Sequence, residues 1–526
     1  MSRKASLFLL FVVVLALSVS EAQPVSNPDS VLQTILGGLK GTPLPLAGAV
    51  RHALTNATSV RKAEAAYLGA EGSVRRDAGA FDPEAFFTLN HLDQQLPTAS
   101  FFAGAPVLAN RQTTSRSGLR MRLPIGTELE LTLNTTRLAT NSNFAFLNPE
   151  YDAFGSLNIR QPLLGGFSAS ARKQLTRSEF ELEAEKARYD QQVLGVSADV
   201  ERMYWDLYAA ERDYAVQKLT RDRAEAFFRE TELRSRAGLV GPNQVANAKT
   251  FLAQQELLLI EREEQFDRQS DLFASLIGVR PAETRFIPTD QPPTDYPADS
   301  VDALVARALT DNLDLQAAHR SVDAARATAD AAGWEALPNV TLVGSMGGSG
   351  LGGSNQAVIF GTDTLRISGS GSFGDAINQV TRRRFPNWNL GIEVTFPIGL
   401  RGGLGEKERL EAQFLIALQN SIEQSRALEE QVRTAYREVS HGQSRVAAAR
   451  AGVDAAQEQV RIGLIEFRNG RLTAFELVRL GEDYAVAHQR YSGALVRTAK
   501  AAATLRQLTS GGYPPSRHDE RKNNDN

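Results

Sequence analysis

Residues that could act in catalysis, bind a nucleotide or bind a metal ion are few, and their spacing does not match that of such sites. Residues 348–353 contain the glycine pattern of a dinucleotide-binding loop, but they lie in a Gly/Ser-rich tract that opens no helix. The histidines include no pair at metal-binding helical spacing with a glutamate, and His52, His319 and His441 are predicted to be exposed helix residues. We therefore predict no catalytic residue, no cofactor or nucleotide site, no metal site and no enzyme activity.

Charge and cysteine content exclude further classes of protein. The 61 acidic residues are spread along predicted helices, where no acid–base pair can be separated from an ordinary charged face. The chain has no cysteine, which excludes disulfides, thiol chemistry and cysteine-based metal sites. Its net charge is -3 and its pI is about 6.2, so we expect no nucleic-acid partner.

Many of the charged residues lie on two long, alanine-rich segments without proline, at 168–238 and 405–470. In both, the apolar residues recur in alternating steps of three and four, which is the seam of a helix that packs lengthwise on other helices. In the first segment these residues are Val193, Val196, Val200, Met203, Leu207, Ala210 and Tyr214. About 70 helical residues make a rod of roughly 100 Å. A mean hydropathy of -0.26 is too polar for a bundle of membrane helices.

A break follows each rod. After the first, the sequence Gly-Leu-Val-Gly-Pro at 238–242 predicts a turn, and Asn243 is the expected cap of a second helix that ends near Gly278. The second rod breaks at Gly470. Each rod is therefore expected to fold back as a helical hairpin.

Residues 91–162 alternate between apolar and polar side chains, as do Trp388 to Phe396, which favours strands with one face toward lipid and one toward a lumen. Residues 344–372 are expected to form a flexible loop, and 91–117 exceed what a simple hairpin needs. The basic residues 382–384 either touch anionic lipid headgroups or form a solvated turn.

The second half of the chain repeats the first. The sequence Ala-Leu-Thr at 53–55 recurs at 308–310, and Tyr204 and Gly238 match Tyr436 and Gly470. The resulting domain plan is a signal peptide at 1–22, an N-terminal arm at 23–45, a first repeat at 46–280, a linker at 281–300, a second repeat at 301–510 and a disordered tail at 511–526.

The N-terminus predicts export. Arg3 and Lys4 precede an apolar run at 5–19, and Ser20 and Ala22 supply small residues at the two positions that a signal peptidase reads before cleavage after Ala22. The alternative is an uncleaved anchor helix, although the run is short for a membrane span. No later stretch has 18 consecutive apolar residues, so the exported chain is expected to be periplasmic, secreted or a β-barrel.

Two repeats are expected to supply about four strands, which cannot enclose a lumen. An open sheet edge in lipid would leave backbone groups without hydrogen-bond partners, so the chain must share its barrel with other copies. Two copies give eight strands and three give twelve.

In this arrangement the chain resembles the TolC family of outer-membrane efflux and secretion channels over residues 46–508. The resemblance is carried by the duplicated helices at 46–83 and 301–338, the strand-to-rod junctions at 161–166 and 396–399, and the two breaks. It implies an α+β fold in which a long coiled-coil helical barrel continues a transmembrane β-barrel, closed by trimerisation. The implied partners are two further copies, outer-membrane lipid, a periplasmic adaptor protein and an inner-membrane pump of the RND or ABC type.

The family is gated by acidic residues near the break in its second long hairpin. The matching positions hold Glu476 and Arg479, and the first repeat holds Gln244, so the candidate pore constriction carries one acid instead of two. Three Glu476 carboxylates around a narrow axis would form a like-charge cluster, whereas the alternative is a solvated surface carboxylate. The breaks resemble adaptor-docking tips, with a plain turn as the alternative; the candidate docking residues are Gly238, Leu239, Val240, Gly470, Arg471 and Leu472.

These expectations describe a passive outer-membrane exit duct with a periplasmic helical tunnel, gated at its tip by an adaptor. The alternative is a periplasmic coiled-coil adaptor or a structural protein of an envelope assembly, whose β segments would form a soluble domain. The cargo, whether drug, metal ion or polypeptide, is not encoded in any residue that we can identify.

Overall fold

The computed structural model describes residues 28–296, 300–360, 363–365, 371–469 and 471–511. The predicted signal peptide at 1–22, residues 512–526 of the predicted tail and the candidate tip residue Gly470 lie outside the described residues.

Helices dominate the described part of the chain. They are α1 (Pro28–Gly37), α2 (Leu46–Asn56), α3 (Thr58–Ala78), α4 (Ala169–Arg236), α5 (Pro242–Ile277), α6 (Val301–Asp311), α7 (Leu313–Glu335), α8 (Phe373–Thr381), α9 (Arg401–Arg468) and α10 (Ala474–Leu508). The strands are β1 (Thr42–Leu44), β2 (Glu84–Pro97), β3 (Val107–Arg122), β4 (Glu128–Thr140), β5 (Leu147–Pro162), β6 (Phe286–Pro288), β7 (Asn339–Asn355), β8 (Val358–Phe360), β9 (Asp363–Leu365) and β10 (Phe385–Thr395).

The helical parts of the two halves match in length and in their breaks. Helices α4 and α9 are each 68 residues long, about 100 Å. The predicted helix at 46–79 is instead two helices, because Ala57 between α2 and α3 has an extended backbone (φ -62°, ψ 123°). Asn312, between α6 and α7, has nearly the same angles (φ -63°, ψ 122°) and accepts a hydrogen bond from the amide of Leu315.

The predicted seams are the buried faces of the rods. In α4, Val196, Val200 and Leu207 are buried, and in α9 Val432, Val439 and Val446 are buried. Each rod pairs with the following helix to make a hairpin, α4 with α5 and α9 with α10. We call these hairpin 1 and hairpin 2.

Ion pairs tie hairpin 2 to hairpin 1 along the middle of the rods. Lys500 of α10 lies 2.8 Å from the carboxylate of Asp206 on α4, and Arg506 lies 2.9 Å from Glu201. Because Glu201 and Arg506 are largely shielded from water, this pair is screened less than a surface pair. The two hairpins therefore run side by side.

Six strands form one antiparallel sheet in the order β10-β7-β5-β4-β3-β2. The expectation of about four strands was wrong. Residues 91–117, which the sequence left without a place, complete β2 and begin β3. The first half contributes four of the six strands and the second half contributes two.

One face of this sheet is apolar and the other polar. The apolar face carries Ala85, Phe87, Leu89, Leu119, Met121, Leu129, Leu131, Leu133, Leu157, Ile159, Leu342, Met346, Trp388, Leu390, Ile392 and Val394. Trp388 is 75% exposed and Phe87 68% exposed in the single chain. Transfer of such a side chain to an apolar medium is worth about 2 kcal/mol, so this face favours contact with lipid. Ion pairs cross the polar face, such as Arg120 with Glu84 at 2.6 Å.

The predicted loop at 344–372 was also wrong in its first part, because β7 continues to Asn355. Helix α8 lies on the apolar face at the end of the sheet away from the rods, with Ala376 and Val380 buried against β5 and β7. It fits there because β7 presents glycines: a Cβ at Gly350 would overlap the carbonyl oxygen of Ala376. The side chain of Gln379 also bonds the backbone N–H and C=O of Leu351, beyond the end of β10.

The N-terminal segment was expected to be an extended arm. It contains helix α1, whose Leu32 packs against Val216 and Leu219 of α4, and then β1, which pairs in parallel with β6 inside the predicted linker. Across the described residues, no helix is both long enough and apolar enough to span a membrane. The glycine pattern at 348–353 is part of strand β7, which confirms that it opens no helix.

Candidate functional site at the helical tips

The two hairpins end side by side, far from the sheet. The guanidinium of Arg234, near the end of α4, lies 4.6 Å from the ring centroid of Phe467, near the end of α9. This contact is a cation–π interaction between the two hairpins. The candidate tip residues of both halves are therefore brought together at one end of the molecule.

Tip 1, the turn at 237–241, ends α4 with a Schellman motif. Gly238 has a φ of +73°, a left-handed conformation that glycine adopts at low cost, and nothing crowds its Cα. The amide of Leu239 donates to the carbonyl of Arg234 at 2.9 Å, and that of Gly238 donates to Ser235 at 3.0 Å. Helix α5 then begins at Pro242 with Gly241 as its N-cap, not at the predicted cap Asn243.

Tip 2, the turn at 469–473, shares one hydrogen bond with tip 1 in its described residues. The amide of Arg471 donates to the carbonyl of Glu466 at 2.9 Å, which is the bond that Leu239 makes to Arg234 in tip 1. Helix α10 begins with a capping box. The Thr473 hydroxyl accepts from the amide of Glu476, and the Glu476 carboxylate accepts from the amide and hydroxyl of Thr473, both at 2.8 Å.

The candidate constriction residues occupy different settings. Glu476 is fully exposed to solvent, and its hydrogen bonds from Thr473 lower the pKa of its carboxyl below the usual range. Gln244 occupies the matching third position of α5 and is exposed, without a comparable cap. Arg479, one turn into α10, is exposed. The carboxylate of Glu476 is thus engaged with its own helix terminus in the single chain.

Each tip also exposes a large apolar side chain. Leu239 in tip 1 and Phe475 in tip 2 are each 74% exposed. In contrast, the side chain of Leu472 turns inward toward α9, where Gly463 leaves room for it: a Cβ at Gly463 would lie 3.4 Å from Leu472 and 2.5 Å from Leu480. Apolar side chains held out into water at the ends of two hairpins are typical of a contact surface.

Just behind the tips, the two hairpins enclose a cavity of about 500 Å³. It is lined by Phe227, Glu230 and Arg234 of α4, Phe251 of α5, Leu464 and Phe467 of α9, and Leu477 and Val478 of α10. Sequence reasoning did not find this cavity, because its residues come from four helices. The only signal in the sequence was the presence of aromatic residues within 15 positions of each break.

Two buried acids lie farther up hairpin 1. Burial raises the pKa of Glu211 to about 7 and that of Asp213 to about 6, and in each case a nearby arginine, Arg212 or Arg262, partly opposes the effect. The matching positions of hairpin 2 are Gln443 and Arg445. The rods therefore differ in charge as well as the tips, and near neutral pH part of this difference depends on protonation.

Across the described residues no cluster of acidic or histidine side chains is arranged to hold a metal ion. The three histidines singled out above, His52, His319 and His441, are exposed helix residues as predicted. Long paired helices joined to a sheet with one apolar face are typical of a protein of the cell envelope.

The fold is that of outer-membrane channels. The outer membrane protein VceC from Vibrio cholerae matches with a TM-score of 0.61 at 15% identity, over 89% of this chain and 97% of that one. The Campylobacter jejuni outer membrane channel CmeC matches with a TM-score of 0.60 at 13% identity, over 91% and 88%. The open state of the Neisseria gonorrhoeae outer membrane channel MtrE gives 0.60 at 16% identity, over 89% of each chain.

The family follows from the sequence itself. Residues 125–279 and 304–511, more than half of the chain, match the family model described as Outer membrane efflux protein, and the chain belongs to this family. It is an efflux channel protein of the outer membrane. No curated protein sequence matches the chain.

Proposed function

We propose that the protein is a passive exit duct formed by three copies, working with a periplasmic adaptor and an inner-membrane pump in a tripartite efflux or type I secretion system. The sheet is its transmembrane part, with lipid on the apolar face and the lumen on the polar face. The hairpins extend the duct into the periplasm, where the two tips open when the adaptor docks.

The observation that carries this proposal is the placement of two unlike surfaces at opposite ends of the long helices. The sheet has a lipid-compatible face, and about 100 Å of helix separates it from a pair of tips with exposed Leu239 and Phe475. A duct that must contact both the outer membrane and an inner-membrane pump requires this separation. Family membership favours the duct over the alternative of a coiled-coil adaptor.

The tips are the proposed docking and gating site. The apolar side chains, the cavity behind them and the Arg234–Phe467 contact offer an adaptor hairpin a groove with both apolar and charged walls. Entry of an adaptor helix there would separate α4 from α9. Glu476, Arg479 and Gln244 then line or flank the narrow end of the tunnel in the trimer.

The experiment is native mass spectrometry of the detergent-extracted protein, followed by conductance measurements in planar bilayers. We expect a trimer and discrete cation-preferring channels. A soluble monomer that forms no channels would overturn the proposal. A mixture of the trimer with a purified adaptor should raise the open probability, and a variant with Leu239→Ser and Phe475→Ser should lose that response but remain trimeric.

A further inference from the structure

The sheet contains more strands than the family resemblance implies. A twelve-stranded barrel of three copies takes four strands from each copy, whereas this chain supplies six. The additional strands lie in the first half. Strand β2 follows α3 as β7 follows α7, and β5 precedes α4 as β10 precedes α9, so β3 and β4 have no counterpart in the second half.

Strands β2 and β3 continue the wall without a break. The register joins β2 to β3 over 14 residue pairs and β3 to β4 over 13. One apolar row crosses all six strands at the same level: Ala85, Leu119, Leu131, Leu157, Met346 and Trp388. On the opposite face, Arg116 of β3 pairs with Glu130 of β4 at 2.7 Å. The added strands thus have the same lipid side and the same polar side as the rest.

The two edges of the sheet are complementary. Among the described residues, each of β2 and β10 has one neighbouring strand, and its outer edge pairs with no other strand. Because every adjacent pair is antiparallel, β2 and β10 run in opposite directions. Placed side by side they would continue the antiparallel alternation, with Phe87 and Leu89 on the same face as Trp388 and Leu390. An unpaired edge inside a bilayer is not tolerated, so these edges need an occupant.

We propose that this occupant is a second copy of the chain: β10 of one copy pairs with β2 of the next, so that all six strands enter the wall. This inference rests on the proposed trimer and deepens it. Three copies then form an eighteen-stranded barrel. Diameter grows roughly in proportion to strand number, so this lumen is about 1.5 times as wide as that of a twelve-stranded barrel and remains open to water. The cargo it fits at the membrane is correspondingly bulky.

The competing arrangement is a four-stranded contribution in which the β3–β4 pair is displaced from the wall and β2 meets β5 directly. Displacement would break the β2–β3 and β4–β5 ladders. The two arrangements predict different neighbours for β2 within one copy and the same neighbour, β10, between copies.

Disulfide formation distinguishes them, and the absence of native cysteine removes any background. Within one copy, Asn90→Cys on β2 is combined with Thr114→Cys, its partner on β3. The matched control set combines Asn90→Cys with cysteine at each polar-face position of β5, which are Asp152, Phe154, Ser156 and Asn158. Between copies, Asn389→Cys on the polar face of β10 is combined in turn with cysteine at Glu84, Phe86, Thr88 and Asn90 of β2. Disulfides require Cα atoms within about 7 Å, so only true neighbours react.

We expect a disulfide within one copy for the β2–β3 pair and none for the β2–β5 set, together with covalent dimers and trimers on denaturing gels for at least one β10–β2 combination. Cross-linking of the β2–β5 set overturns the eighteen-stranded wall, as does the absence of any β10–β2 cross-link in a conducting trimer. In both cases the native mass and conductance still report on the duct, so failure of this inference is separable from failure of the proposed function.

Discussion

The two tips share one backbone hydrogen bond and differ in how their second helix begins. Both rods end with the same hydrogen bond, from Leu239 to Arg234 in tip 1 and from Arg471 to Glu466 in tip 2, each 2.9 Å long. Both turns have the same length. Tip 1 then starts α5 at a Gly-Pro pair without a side-chain cap, whereas tip 2 starts α10 with the Thr473–Glu476 capping box.

The comparison shows how one duplicated shape can carry two functions. The hydrogen bond at the C-terminus of each rod ends the helix and begins the turn. The first residues of the helix that follows can then differ between the two tips. The N-cap sets local stiffness and charge, since a side-chain cap contributes about 1 kcal/mol and a carboxylate favours a helix N-terminus. The start of α10 in tip 2 is thus more stable than the start of α5 in tip 1, and tip 2 is the more acidic of the two.

The largest effect should come from fastening the tips to each other. With Arg234→Cys and Phe467→Cys joined by a short reducible cross-linker, the tips cannot separate, and we expect conductance to fall by about tenfold or more. A reducing agent should restore it. The measurement compares the same trimers in a planar bilayer before and after cross-linking.

The matched control joins the same two hairpins in the middle of the rods, through Asp206→Cys and Lys500→Cys. This cross-link leaves the tips free and should leave conductance unchanged. If both cross-links closed the channel equally, the opening would involve the whole hairpin and the tips would have no special role.

Exchange of the tip charges should have the next largest effect. Glu476→Gln preserves the size of the capping side chain but removes its charge, so cation preference, measured as a reversal potential in a salt gradient, should fall. Gln244→Glu adds an acid to tip 1 and should raise it. An unchanged reversal potential in Glu476→Gln would remove this carboxylate from the conduction path and leave it only as a cap.

A smaller effect is expected from the caps themselves. Thr473→Ala removes the side-chain acceptor at the start of α10 and should cost about 1 kcal/mol locally, equivalent to roughly fivefold faster amide exchange in its first turn. Gly241→Ser supplies the missing cap in tip 1 and should slow exchange at the start of α5. Equal exchange in both tips of the unmodified protein would contradict the difference in stiffness.

The smallest effect is expected when the pH is lowered. The hydrogen bonds from Thr473 lower the pKa of Glu476, so their stabilising contribution is complete above the ordinary glutamate pKa and is lost as pH falls through the lowered value. Amide exchange in the first turn of α10, corrected for intrinsic rates, should therefore accelerate below about pH 4.5, while that of α5 does not, because Gln244 does not titrate. Glu476→Gln should remove the difference.

The rods could be predicted from sequence because their seam repeats over many turns, and Val200 and Val432 are buried where the period places them. Strands were predicted over 91–162, but those at 91–117 could not be placed, because Arg111, Thr113 and Ser115 lie on the same face of β3 as Leu119 and interrupt the alternation. Glycine is disfavoured in strands, so 347–353 was interpreted as a loop; pairing with β5 and contact with α8 override that preference.

At the tips, too, local features could be predicted from sequence and contacts between distant segments could not. Gly238 predicted its turn because a left-handed residue is needed there, and the Thr-x-x-Glu spacing at 473–476 contained a capping box that we had not recognised in the sequence. The cavity between the hairpins required Phe227 and Phe467 to meet across some 240 residues of chain, and no local pattern encodes such a meeting.

Helix α8 adds a second layer to the sheet at the end of the molecule opposite the helical tips. It is seated against β7 by Gly348, Gly350 and Gly352, where hydrogens replace side chains and the two backbones nearly touch. A single methyl group at Gly350 would push the helix off the sheet and uncover Ala153 and Val380 together. The thickness of the wall at its far rim is therefore determined by three positions at which the chain has no side chain.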